Sequence, residues 1–116
     1  MRPEQQIQKA VIVHLRVRGV SGLVYTHCPN GGFRRPIEAA IFKSLGLRAC
    51  VSDLLLWHRA KSYALELKAE GGRATAAQLK FIEDMRAAGA EAAISEGLDR
   101  ALAILESWGL LRGAVR

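Results

Sequence analysis

Two acidic residues and a lysine in the middle of the sequence have the types and spacing needed to hydrolyse a phosphodiester bond. Asp53 is separated by twelve residues from the segment Glu66-Leu67-Lys68. Two carboxylates that converge can hold a hard divalent cation such as Mg²⁺, which keeps several waters and accepts phosphate oxygens. Such a cation lowers the pKa of a bound water and offsets charge on the phosphate, while a lysine adds a positive point charge.

These residues can meet only if the two segments that carry them are neighbouring strands. Residues 52–58 and 63–69 are apolar or alternating runs around a short polar stretch, which predicts a β-hairpin. Along the second strand, Tyr63, Leu65 and Leu67 alternate with Glu66 and Lys68, so one face is apolar and the other is charged.

A two-residue turn at Ala60-Lys61 predicts the register of this hairpin. Leu55 would then pair with Glu66, and Asp53 with Lys68, so that the three charged residues share one face. The β-carbons of the two acids would be roughly 7–8 Å apart. The plain alternative is a salt bridge on a solvated strand face. Charge clustered on a strand that is otherwise strongly apolar is costly without a use, which favours a functional site.

The rest of the chain predicts helices and short strands around the hairpin. Residues 23–27 and 90–95 are typical of strands, and Thr75 with Gln78 matches the capping box of a helix that should bury Leu79, Ile82 and Met85. Helical spacing of apolar residues recurs in 3–18, 36–45, 76–88 and 98–108. The predicted order is α-β-α-β-β-α-β-α, an α/β fold with a mixed central sheet flanked by helices, in one domain spanning 1–116.

Composition narrows the class of partner. The 116 residues carry a net charge of +6, which favours a polyanion, and nucleic acid is the commonest one. The two cysteines form no disulfide framework, and no apolar run approaches the ~18 residues that span a bilayer. The opening residues predict no signal peptide. A cytoplasmic protein with no membrane partner is therefore expected.

A turn cluster could bring the main chain to the DNA backbone. Asn30, Gly31 and Gly32 would allow backbone amides to approach phosphates closely, and Arg34 and Arg35 follow directly. An ordinary surface turn is the alternative. His27, just before this cluster, is more often a packed strand residue than a catalytic base. Trp57 and Trp108 are most simply core or dimer-interface residues.

Together these stretches resemble the VRR-NUC branch of the PD-(D/E)XK nucleases. Ser52-Asp53 and Glu66-Leu67-Lys68 are similar to the superfamily signature. The branch is indicated by Glu4-Gln5, the stretch from His27 to Arg34, Leu45-Gly46 and Gln78. The resemblance runs from Glu4 to about Gly89. It implies a restriction-endonuclease-like core, cleavage of DNA with Mg²⁺ or Mn²⁺, and a role on branched substrates such as four-way junctions or flaps. Members this short are often homodimers of phage or bacterial origin.

The resemblance also implies roles for particular residues. Asp53 and Glu66 match the metal-binding acids, Lys68 the catalytic lysine, and the backbone carbonyl of Leu67 a further metal ligand. Glu4 matches an acid on the first helix that can add to the metal site. Gln78 matches a polar residue near the active site, although the capping box alone would explain it.

Two departures from the family pattern bear on the turn before Asp53. Ser52 stands in place of the signature proline, and Cys50 stands where the branch usually has glycine. A side chain at the second place could shift that turn and alter activity. Two other functions stay open: a nucleic-acid-binding module of the same fold without catalysis, and a structural or oligomeric scaffold.

Overall fold

The hairpin that carries the charged residues forms the middle of a mixed β-sheet. The computed structural model describes residues 2–29, 35–48 and 51–113, in which the strand order is β1-β2-β3-β4. β1 pairs with β2 and β2 with β3 in antiparallel fashion, whereas β3 and β4 are parallel. The strands are β1 (Val24–His27), β2 (Leu54–His58), β3 (Lys61–Lys68) and β4 (Glu91–Glu96).

The described residues contain four helices, and the order of helices and strands is the α-β-α-β-β-α-β-α predicted from the sequence. The Thr75 capping box is present, since Gln78 N–H donates to Thr75 Oγ1 at 3.1 Å and Thr75 N–H donates to Gln78 Oε1 at 2.9 Å. No helix in the described ranges is long and apolar enough to cross a membrane. The helices are α1 (Pro3–Arg18), α2 (Pro36–Ser44), α3 (Ala76–Ala87) and α4 (Gly97–Ser107).

The alternation along the central strands divides the apolar core between the two faces of the sheet. On one face α1 and α4 cover the leucines of β2 and β3, and Val11 and Leu105 are fully buried there. On the other face α3 packs over β3 and β4, where Phe81 and Ile82 contact Ala64. This second face is also the one whose alternation carries Glu66 and Lys68.

The register of the hairpin differs from the predicted one by two residues. Leu55 pairs with Ala64, and His58 with Lys61, so the turn consists of Arg59 and Ala60. Both turn residues have positive φ, 48° and 66°, as the type I′ turn of a two-residue hairpin requires. The predicted turn one residue later was wrong. A two-residue shift keeps every side chain on its predicted face, because strand side chains alternate with a period of two.

Burial of Leu79 was also wrongly predicted. Ile82 is buried and Met85 packs at the core, but Leu79 lies on the outer side of α3 and is 48% exposed.

The backbone of α2 lies away from the other helices and strands of the described ranges. Its residues fall at helical spacing as predicted, yet none of them is buried. Arg48, shortly after α2, connects this segment to α3, since its guanidinium donates to Asp84 Oδ2 at 2.6 Å and stacks 5.0 Å from the centre of the Phe81 ring.

The turn of the hairpin should be a site where stability can be gained. Left-handed backbone costs roughly 1–2 kcal/mol at each residue with a β-carbon, and asparagine and glycine tolerate it best. We expect Arg59→Asn with Ala60→Gly to stabilise the protein by about 1 kcal/mol, or roughly 4 °C in Tm, in thermal melts. Ala103→Gly, on the exposed side of α4, is the matched control and should lower Tm. A double variant that melts below wild type would contradict the strained turn.

Candidate active site

The carboxyl groups of Asp53 and Glu66 meet where β2 begins and β3 ends. Asp53 directly precedes β2, and its Oδ2 accepts a hydrogen bond of 2.7 Å from the backbone N–H of Leu67. Glu66 is only 4% exposed, and its carboxyl group hydrogen-bonds to that of Asp53. The two acids predicted from the sequence therefore lie together and can direct oxygens at a common point.

The corrected register accounts for this closeness. One further pair in the observed register would place Asp53 opposite Glu66, whereas the predicted register placed it opposite Lys68. Directly opposite side chains are closer than the diagonal neighbours first expected. The shared face was predicted correctly, and the correction brings the two carboxyl groups nearer to each other.

Burial and a like charge together hold Glu66 in its neutral form. Its pKa is raised from about 4.5 to about 9, first because burial removes the carboxylate from water. The hydrogen bond to Asp53 and the negative charge of Asp53 raise it further. At neutral pH Glu66 therefore keeps its proton, and a positive charge placed between the two groups would relieve the cost of ionising it.

Lys68 and Glu4 act on the same carboxyl group through space. The half-buried Lys68 lowers the pKa of Glu66, and the exposed Glu4 in the first turn of α1 raises it. The residues described include no cluster of three or more acidic, histidine or cysteine side chains that could hold a metal ion. In this arrangement Glu4 is thus an electrostatic neighbour of the acid pair, and its role as a metal ligand stays a prediction.

Gln78 has a structural partner at the start of α3. Both hydrogen bonds of the capping box involve it, and its side-chain oxygen is directed at Thr75 N–H. This geometry accounts for the glutamine without any reaction. Its predicted place in the catalytic site therefore stays a prediction.

The predicted DNA-contacting loop lies mostly outside the described residues, which exclude Asn30, Gly31, Gly32 and Arg34. Arg35 is described. It is the exposed N-cap residue of α2, and its guanidinium pairs with Glu38 at 2.7 Å. Cys50 likewise lies outside the described residues.

Sequence reasoning missed two donors that hold the main chain of Asp53. The carbonyl oxygen of Asp53 accepts a hydrogen bond of 2.8 Å from the backbone N–H of Cys28 and one of 2.9 Å from His27 Nδ1. The imidazole of His27 is exposed, so its prediction as a packed strand residue was wrong. Only the pairing of β1 with β2 brings these residues to Asp53, and no spacing along the chain signals it.

Ser52 occupies a tight place beside the acid. It is 1% exposed, and its hydroxyl has no hydrogen-bond partner among the residues described. The proline of the PD-(D/E)XK signature, which the sequence resembles, has no hydroxyl that would need a partner here. The serine is tolerated, although a buried unpaired hydroxyl costs stability.

Comparison with known proteins supports the fold. The structure is similar to a solved VRR_NUC domain protein with a TM-score of 0.75 and 24% sequence identity, over 93% of this chain and 88% of that one. A second solved structure, a VRR_NUC domain, has a TM-score of 0.64 and 18% identity over 93% of this chain and 99% of that one. No family model and no curated protein matches the sequence. The chain therefore shares the mixed α/β fold of these two structures, as the sequence predicted.

The raised pKa of Glu66 predicts how stability depends on pH. A carboxyl group whose pKa rises from about 4.5 in the unfolded chain to about 9 in the folded one binds more protons when folded, so its contribution is lost as pH increases through that range. Glu66→Gln keeps the hydrogen-bonding shape without the ionisation. We expect its Tm in metal-free buffer to exceed that of wild type by several degrees at pH 8.5, with the gap closing towards pH 5.

Glu83→Gln, which removes an exposed acid from α3, controls for the change in net charge. Its melting curve should follow that of wild type over the same pH range. Parallel pH dependences of wild type and Glu66→Gln would show that Glu66 ionises freely in the folded protein.

Proposed function

We propose that this protein is a VRR-NUC nuclease that hydrolyses DNA phosphodiester bonds endonucleolytically with the help of Mg²⁺ or Mn²⁺. The observation that carries the proposal is the placement of a buried glutamate against a second carboxyl group, with a lysine on the same strand. A scaffold protein gains nothing from burying an ionisable acid beside a second one, whereas a cation site uses both. The fold is the one shared with VRR_NUC domains.

The donor set fits a hard divalent cation. Asp53 and Glu66 offer carboxylate oxygens within hydrogen-bonding distance of one another, and the backbone carbonyl of Leu67 is the third proposed ligand. Mg²⁺ prefers oxygen ligands and keeps several waters, so two carboxylates and a carbonyl suffice. Soft ligands are not needed for such an ion. When bound, the cation would lower the pKa of a water and neutralise charge on the scissile phosphate.

The protein's own residues would orient and stabilise the reacting groups. Lys68, two residues after Glu66 and on the same face of β3, presents its ammonium group beside the acid pair, where negative charge develops on the phosphate. Gln78, fixed at the start of α3, would position water or substrate with its amide nitrogen, because its oxygen is already bonded to Thr75. Glu4 would add negative charge around the cation from α1.

We propose DNA as the substrate because the chain carries a surplus of six positive charges. The glycine-rich segment of residues 30–32 with Arg34 and Arg35 would contact phosphates. Branched or structured DNA, such as a four-way junction or a flap, is the proposed substrate class on the strength of the family resemblance. An inactive nucleic-acid-binding module is the alternative, and it would keep the positive charge but make no use of the acid pair.

The test is a cleavage panel of four-way junction, flap, nicked and plain duplex DNA in Mg²⁺, Mn²⁺ or EDTA. We expect metal-dependent cleavage, and we expect Asp53→Asn and Lys68→Met each to lower kcat by about 100-fold or more while DNA binding is retained. Lys61→Met is the matched control, since Lys61 is an exposed lysine at the other end of the same strand.

Each alternative outcome of this panel has a distinct meaning. DNA binding without cleavage in either metal would establish the inactive module. Cleavage that survives EDTA would remove the acid pair from the chemistry. Cleavage that is lost equally in Lys61→Met would remove the specific role of Lys68. A preference for linear duplex would retain the nuclease and overturn the proposed substrate class.

We further propose that the protein works as a homodimer that covers α2. Ile37 and Ile41 are 67% and 53% exposed on one side of this helix, and Leu45 at its end is 77% exposed. The backbone of α2 lies away from those of the other described helices and strands, and Ile37 and Ile41 form an apolar strip on its surface. A two-fold axis would place the α2 helices of two copies side by side.

The dipole of α2 suits this self-association. Two antiparallel copies would oppose the two helix dipoles. An isologous interface of this kind is self-complementary.

Ile41→Glu tests the dimer. The wild-type protein should have twice the monomer mass of 12.7 kDa in light scattering, and the variant should be monomeric with an unchanged Tm for the monomer fold, because the side chain contributes nothing to the described core. Val17→Glu is the matched control on α1, where the valine is 65% exposed. A monomeric wild type, or dissociation by the control alone, would rule out the α2 interface.

A further inference from the structure

The last residue of β1, His27, contacts the main chain of Asp53. Its Nδ1 lies 2.9 Å from the carbonyl oxygen of Asp53. A carbonyl oxygen only accepts hydrogen bonds, so Nδ1 must carry the proton that is shared in this contact. The same oxygen accepts a 2.8 Å hydrogen bond from Cys28 N–H, and two donors therefore hold the peptide group between Asp53 and Leu54.

Asp53 needs such support because it stands outside the strand pairing. β2 begins at Leu54, so Asp53 has no partner in the backbone ladder with β3. Its carboxylate is tied to β3 through Leu67 N–H at 2.7 Å, and its carbonyl oxygen is tied to the end of β1. The bonds to its carbonyl oxygen therefore fix the main chain from which the carboxylate projects.

We propose that His27 is a positioning residue, whose Nδ1–H fixes the main chain of Asp53 so that its carboxylate stays directed towards Glu66. Residues that orient ligands without touching the metal commonly change metal affinity or activity by about 10-fold or more when removed. This inference rests on the proposed cation site, since the orientation of Asp53 matters for function only if its oxygens bind an ion.

The surroundings of His27 allow its positioning role to be tested without unfolding the protein. The imidazole is exposed on β1, which pairs only with β2 among the described strands, so its removal opens no cavity in either core cluster. The Cys28 N–H bond to Asp53 remains when the imidazole is lost. The fold should therefore tolerate substitution of His27, while the direction of the Asp53 carboxylate becomes less well defined.

Three substitutions distinguish the role of the Nδ1 donor from the bulk of the ring. The amide nitrogen of asparagine is two bonds from Cβ, as Nδ1 is in histidine, whereas that of glutamine is one bond farther. We expect His27→Asn to behave within about twofold of wild type, because it can donate to the same carbonyl. His27→Ala and His27→Gln should each weaken Mn²⁺ binding by about 10-fold in calorimetric titrations.

A second measurement tests the hydrogen bond between His27 and the Asp53 carbonyl in the absence of metal. The Leu67 amide is protected from hydrogen exchange by the Asp53 carboxylate. In metal-free protein, its exchange measured by NMR should accelerate several-fold in His27→Ala and return to the wild-type rate in His27→Asn. Amides in the middle of β3, such as that of Ala64, should exchange as in wild type and report that the sheet is intact.

The outcomes separate this inference from the proposed function. A wild-type protein that binds no Mn²⁺ removes the cation site itself. A wild type that binds Mn²⁺, with His27→Ala binding equally well, or with His27→Asn no better than alanine, overturns the positioning role alone. A raised KM for DNA with unchanged Mn²⁺ affinity would show instead that the ring contacts the substrate.

Discussion

The proximity of two carboxyl groups at the junction of β2 and β3 is the constraint on which the rest of the site depends. Burial raises the pKa of Glu66, and Asp53 raises it further. Ionising Glu66 beside Asp53 would place two like charges out of water, which is costly. Here Asp53 is hydrogen-bonded to both neighbouring strands, and Glu66 lies inside β3, between β2 and β4. The strand pairing therefore keeps the two carboxyl groups together, although their proximity lowers the stability of the fold.

One face of the sheet forms the larger apolar core, and the other carries the charged residues of the candidate site. The leucines of β2 and β3 on one face pack with α1 and α4, and they supply most of the buried apolar surface. The opposite face packs with α3, and there the charged residues lie at the end of β3. Because alternate residues of one strand serve the two faces, a single segment such as Leu65-Glu66-Leu67-Lys68 contributes both to the core and to the site.

The sequence predicted the element order and the shared face of the acids, and it failed where long-range geometry decides. Alternation along β3 assigns Glu66 to a face whatever the register, which explains why that prediction survived a two-residue error. The turn was missed because Arg59-Ala60 lacks the asparagine or glycine that usually marks positive φ. The helical periodicity of α2 likewise predicts an apolar side, but it does not predict which part of the protein packs against that side. His27 illustrates the same limit, because its contact with Asp53 depends on how β1 pairs with β2.

The energetics of the acid pair also weigh against a protein that has lost catalysis. In the absence of a positive charge, a neutral isostere at Glu66 would avoid the cost of burying an ionisable group and would leave the apolar packing of β3 unchanged. An inactive binding module could make that replacement without loss, since phosphate contacts come from basic side chains and main-chain amides. A nuclease could not, because the same carboxyl group must lose its proton to ligate a cation. The buried glutamate, with Lys68 close enough to lower its pKa, thus fits a site in which positive charge completes the structure.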